Sequence, residues 1–202
     1  MIHLNQPKAE IYIDHLRKNF LTINNLVGDA RIMAVVKANA YGHGAINIAK
    51  ILSEVGAFGF CVALSKEAEE LVASGINKPI LHLGKISSEN LELYNSNQIR
   101  CTINSVEDIL SLKAYASKKR PILVHLKVDT GMGRMGIRFE ESEEILNLLS
   151  DISEIKVEGV YSHFATADEN NTYYRDWQLN RFKSIVELTN NILLDVKYFH
   201  IA

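Results

Sequence analysis

Lys37 closes a short apolar run, Ile32-Met33-Ala34-Val35-Val36, and opens the segment Ala38-Asn39-Ala40-Tyr41-Gly42-His43-Gly44. A cation at the end of a β-branched, buried-looking strand is costly unless its charge or its amine is used. Lysine is also the side chain that most readily attacks an aldehyde once its surroundings depress its pKa. The ends of later apolar runs carry Lys127 with Asp129, then His163, then His200, and a glycine-rich turn after Asp129 carries Arg134. Lysine, tyrosine, arginine and histidine gathered at one set of strand ends could bind and polarise an anionic aldehyde.

Each residue also has a plainer reading. Lys37 could snorkel at a rim, Tyr41 could be a packed or half-exposed aromatic, His43 could face solvent, and His163 could be a satisfied core histidine. Gly42 and Gly44 could supply backbone freedom or allow close approach of a phosphate. Residues Gly131-Met132-Gly133-Arg134-Met135-Gly136 form a literal G-x-G-x-x-G. A dinucleotide site fits them poorly: Arg134 and Met135 are bulky, the helical pattern starts only near Glu140, and the next strand ends in Ser162-His163 instead of an acid for a ribose. A tight glycine turn delivering Arg134 fits better, with Lys127 on the same strand face as Asp129.

The elements that must position these residues follow from hydrophobic periodicity. Strands are expected near Arg31–Lys37, Phe58–Val62, Pro79–Leu83, Arg100–Ile103, Ile122–Asp129, Lys156–Ser162 and Lys197–Ala202. Helices are expected near Gly44–Val55, Ser65–Ser74, Ser87–Ser96, Ser105–Ser117, Glu140–Leu149 and Tyr173–Leu194, with N-caps at Ser65 and Ser105. A further strand, Glu10–Asp14, would precede a helix from Asp14 to Leu26. This alternation predicts an α/β protein, a TIM-type (β/α)8 barrel truncated after about the seventh strand. On that reading residues 1–202 are one incomplete N-terminal barrel domain of a longer parent, with the site at the C-terminal ends of the strands.

Composition limits the alternatives. The 202 residues are 47% hydrophobic and 23% charged, with a net charge of −2, which gives no reason to expect nucleic acid or an anionic membrane as partner. Lys118-Lys119-Arg120, just before Pro121, reads as a solvated turn. Cys61 and Cys101 have the spacing of neither a disulfide framework nor a zinc site, and no metal is expected. Met1–Lys8 lacks a signal-peptide core and no apolar run is long enough to span a bilayer, so the expected location is cytoplasmic.

Three ordered motifs carry a resemblance to a known family. Ala34-Val35-Val36-Lys37-Ala38-Asn39-Ala40-Tyr41-Gly42-His43-Gly44 resembles the cofactor-lysine motif of the alanine racemases, which use pyridoxal 5'-phosphate. His125 through Gly136 and Ser162 through Glu169 resemble two more motifs of that family, and Ile11 through Asn19 resembles its opening. The resemblance covers nearly the whole chain but about the first half of a typical member. It implies interconversion of L- and D-alanine for peptidoglycan synthesis by a homodimer. Lys37 would form the Schiff base with the cofactor and act as one of two acid–base groups, and Tyr41 would contact the phosphate. Arg134 would face the cofactor's phenolic oxygen and the substrate carboxylate, and His163 would lie against the pyridine ring. Lys127 matches a lysine that is often carbamylated. The opposite base, a tyrosine from the partner subunit's C-terminal domain, would lie outside this sequence, so the chain alone is expected to be inactive. The alternative is a single-domain pyridoxal-phosphate-binding barrel of cofactor homeostasis, without racemase activity.

Overall fold

Apolar runs buried on both faces become strands here, and the amphipathic stretches between them become the covering helices. The computed structural model describes residues 9–96, 98–193 and 195–202. The expectation about Met1–Lys8, and the end of the last expected helix at Leu194, fall outside the described residues. Chain contacts divide the protein into two compact units, Met1–Ile80 and Leu81–Ala202.

In the first unit, α1 (Ile13–Val27) leads to β1 (Met33–Val35), the short turn of helix α2 (Lys37–Tyr41), α3 (Ala45–Glu54), β2 (Gly59–Val62) and α4 (Ser65–Ala73). β1 and β2 pair in parallel, with Met33 opposite Gly59 and Val35 opposite Cys61. Every residue of β2 is buried, as expected for a parallel strand covered on both faces. Gly59 is required there, because a Cβ would lie 2.5 Å from the Pro79 carbonyl oxygen. Ile48, Ala49 and Leu52 of α3 and Ala68 and Leu71 of α4 supply the buried helical faces.

β3 (Ile80–His82) lies at the division between the units. The second unit continues with a 3₁₀ helix (Ser88–Asn95), β4 (Ile99–Ile103), α5 (Val106–Tyr115), β5 (Ile122–Asp129), β6 (Ile137–Arg138), a 3₁₀ turn (Phe139–Glu141), α6 (Ser142–Ser150), β7 (Ile155–Ser162), α7 (Tyr173–Ile192) and β8 (Tyr198–Ile201). β4, β5, β7 and β8 pair in that order, all in parallel. The β5–β7 register shifts between Val124 and His125.

Three local expectations are corrected, and one short strand is new. Glu10–Asp14 forms no strand: the Tyr12 carbonyl accepts from the His15 and Leu16 N–H groups at 3.1 and 3.2 Å, so helix α1 claims this segment from Ile13. Ser88–Asn95 is a 3₁₀ helix, because its buried Leu91 and Tyr94 recur every third residue, the period of that helix. Leu64, not Ser65, occupies the N-cap of α4. The two-residue strand β6, paired with Val128 and Asp129 of β5, had no counterpart in the sequence reading.

Candidate active site

In the first unit, candidate residues follow the end of β1. The Val36 N–H donates to the Cys61 carbonyl at 2.9 Å, and Val36 is buried, so the strand is pinned up to the residue before Lys37. The chain then turns left-handed. Ala38, Asn39 and Ala40 have φ of 51, 54 and 52° with ψ of 49, 45 and 49°, and Tyr41 follows with φ 53°. Left-handed backbone costs a non-glycine residue about 1–2 kcal/mol, so this turn persists only because its surroundings hold it.

The holding contacts are specific. Glu67, in the first turn of α4, accepts from the Ala38 N–H through Oε1 at 2.6 Å. Its Oε2 accepts from the N–H groups of Ala63 and Leu64 at 2.9 and 3.0 Å. Asn39 Oδ1 accepts from the Ala45 N–H at 2.8 Å, and His43 Nδ1 donates to the Ala40 carbonyl at 2.9 Å. His43 therefore closes the turn even though it is exposed. The result sets the half-buried Lys37 with its Nζ 6.0 Å from the Tyr41 ring centroid, and leaves Tyr41 60% exposed. Gly42 and Gly44 have φ of 86 and 91°, and an added Cβ would meet nothing within 4 Å. Backbone conformation is thus sufficient reason for both glycines.

In the second unit, candidate residues lie on β5, β7 and β8. Lys127 is buried, 7% exposed, with its Nζ 5.5 Å from the Tyr161 ring centroid. His200 of β8 stacks on the same ring at 4.7 Å with an interplanar angle of 2°. His200 Nε2 lies 3.0 Å from His125 Nδ1, and the Tyr161 hydroxyl shares a hydrogen bond of 3.1 Å with Thr102 Oγ1. Burial, with the charges of His200 and Arg100, pushes His125 down to about 3. Burial pushes His200 down to about 4. Both imidazoles are neutral near pH 7, so one donates and the other accepts in their shared bond.

The turn after β5 is organised by Asp129, whose carboxylate accepts from the N–H groups of Gly131 and Gly133 at 2.9 and 2.8 Å. Gly131, Gly133 and Gly136 adopt φ of 143, 70 and 115°, as the tight-turn reading expects. No helix opens in this motif; it runs into β6 and α6 begins at Ser142. Arg134 stands exposed at the turn. Lys127 and Asp129 do different work: the first is buried against Tyr161, the second folds into the turn. His163 follows β7, and its carbonyl accepts from Gln178 Nε2 at 3.1 Å. Gln178 is fully buried on α7; its Nε2 also donates to Thr130 Oγ1 at 3.3 Å, while its Oε1 accepts from the Ala165 N–H at 2.9 Å.

Within the first unit these residues set an amine beside a phenol; within the second they gather a buried lysine, a histidine pair and an arginine-bearing turn. Comparison with known proteins gives the arrangement its context. Residues 11–202 match the family model described as "Alanine racemase, N-terminal domain". The chain belongs to the alanine racemase family. It is 38% identical over 194 residues to the alanine racemase of Halothermothrix orenii, covering 95% of this chain and 51% of that protein. The solved alanine racemase of Clostridium difficile 630 superposes with a TM-score of 0.88 at 36% identity, covering 94% of this chain and 53% of the other. An alanine racemase from Bacillus anthracis, solved with bound L-Ala-P, gives a TM-score of 0.86 at 34% identity over 96% of this chain and 53% of its own.

The alanine racemase relatives thus share the N-terminal barrel fold expected from the strand–helix alternation, and the chain spans about half their length. Among the described residues, no helix is long and apolar enough to cross a membrane. No local pattern in the sequence marks the holding contacts. Glu67 showed only as an acid near the start of a helix, and Gln178 carried no signal in a polar helical stretch. His125 and Tyr161 lay inside apolar strands, where a polar residue is the available clue.

Proposed function

We propose that this chain is the N-terminal barrel part, residues 1–202, of an alanine racemase that interconverts L- and D-alanine with pyridoxal 5'-phosphate. The product would serve peptidoglycan synthesis in the cytoplasm. The observation that carries the reading is the presentation of Lys37, held at the end of β1 by a strained left-handed turn beside Tyr41, in a chain of this family. Backbone strain of this kind collects where geometry serves function.

The residues fit the cofactor chemically. Lys37 offers a primary amine to an aldehyde, and the exposed Tyr41 offers a hydroxyl to its phosphate. When bound, the pyridoxal ring supplies an electron sink for the pair left by breaking the substrate's Cα–H bond. Lys37 Nζ would then remove or return the α-proton on one face only. Arg134, with five fixed N–H donors, would hold the substrate carboxylate and the cofactor's phenolic oxygen. His163 would lie against the pyridine ring. Lys127, already buried, would act on Arg134 as the carbamate its neutral amine forms with carbon dioxide on releasing a proton, which turns a cation into an anion. The other face of Cα needs a second base from a homodimeric partner.

The test is to add pyridoxal phosphate to the full-length protein carrying this chain, reduce with borohydride and map the tagged lysine. Tagging of Lys37 is expected; tagging elsewhere overturns the assignment. Lys37→Ala should abolish racemisation of alanine, and retained activity would contradict the reading.

A further inference from the structure

The Lys37 turn is unfavourable by itself, so whatever fixes it also fixes the direction of the Lys37 amine. Asn39 and His43 hold it only within residues 39–45. Glu67 reaches it from another element. Its carboxylate spans two stretches of backbone, with the Ala38 N–H on one oxygen and the Ala63 and Leu64 N–H groups at the end of β2 on the other. These are charge-assisted bonds, stronger and more directional than neutral ones, and the carboxylate sits in the first turn of α4, where the helix dipole favours an anion. Ala38 follows Lys37 directly, so the bond to its N–H fixes the peptide plane from which the lysine side chain departs.

We propose that Glu67 is a positioning residue for Lys37: its carboxylate clasps the Ala38 N–H and keeps the amine aimed for capture of an anionic aldehyde. The proposal rests on the cofactor reading above. It also separates two roles of the same carboxylate. A carboxamide has one acceptor oxygen, so Glu67→Gln can cap Ala63 and Leu64 or hold Ala38, but not both. Glu67→Asp keeps the charge and falls one methylene short of Ala38.

The experiment uses the full-length protein carrying this chain, with pyridoxal phosphate as probe, borohydride reduction and peptide mapping, alongside hydrogen–deuterium exchange. In Glu67→Gln, tagging of Lys37 should slow by about 10- to 100-fold, with tagging of other lysines unchanged and exchange over residues 38–42 accelerated. Glu67→Asp should slow tagging and accelerate exchange alike while its circular dichroism shows a folded protein at the assay temperature, which keeps the test open if the glutamine variant folds poorly. Wild-type rates of Lys37 tagging and exchange in both variants would overturn the proposal. If the wild-type protein tags another lysine, the cofactor reading fails on its own. The exchange arm then decides the clasp: acceleration over 38–42 supports it, and no change overturns it.

Discussion

At the scale of single residues, the chemistry depends on backbone that its own side chains do not favour. Ala38 is an exposed alanine with φ 51°, a conformation glycine adopts without penalty. Ala38→Gly should therefore raise stability by up to about 1 kcal/mol, the relief of left-handed strain less the added entropy of the unfolded chain. A urea-denaturation midpoint below wild type would contradict this. Tyr41 tests the other half of the first-unit site. Loss of one hydrogen bond to a charged group costs about 1.5–3 kcal/mol, so Tyr41→Phe should weaken pyridoxal phosphate binding by about 10- to 100-fold in an absorbance titration, leaving the melting temperature of the cofactor-free protein unchanged.

At the scale of elements, largely buried polar pairs link the second-unit strands. Arg100 of β4 and Glu158 of β7 form an ion pair of 2.7 Å, with side chains 12% and 7% exposed. Glu158→Ala takes the carboxylate away from a largely buried guanidinium that keeps the Gln98 carbonyl as an acceptor at 3.1 Å, so it should cost about 3 kcal/mol by chemical denaturation. The histidine pair linking β5 and β8 gives a pH signature. His125 and His200 titrate at about 3 and about 4 in the folded protein against an ordinary value of 6.5. The unfolded chain therefore binds more protons between these values, and stability rises with pH. The contribution is complete above about pH 6.5 and is lost as pH falls toward 3. His125→Gln should flatten that slope in denaturation midpoints taken across the window; an unchanged slope would show that the pair titrates normally.

At the scale of the whole molecule, the proposed role gives Lys37 a single proton-transfer face to serve. General acid–base groups contribute about 10²–10⁴-fold each, so racemisation needs the second base that the proposed partner subunit brings. The 202-residue chain should show no alanine racemisation by circular dichroism under conditions where the full-length protein turns over. Wild-type turnover by the chain alone would require a second base within these residues and would overturn the two-base reading.

The seven longer strands and most helices follow from the sequence by itself, and the same sequence names Lys37, Tyr41, Lys127, Arg134 and His163 as candidate site residues. Hydrophobic period is a local property, and the motifs around those residues are contiguous. Tertiary structure alone decided what holds them. Of the four left-handed residues Ala38–Tyr41, only Asn39 has a local tolerance for that conformation; Glu67, distant in sequence, supplies a bond that holds the turn. Glu10–Asp14 looked like a strand because its alternation is short, and the helix that follows outcompeted it. His125, Tyr161 and His200 became one stacked, hydrogen-bonded group only when β5, β7 and β8 aligned in parallel. Sequence pattern names the groups that could react, but their orientation depends on contacts between distant residues, which no local period encodes.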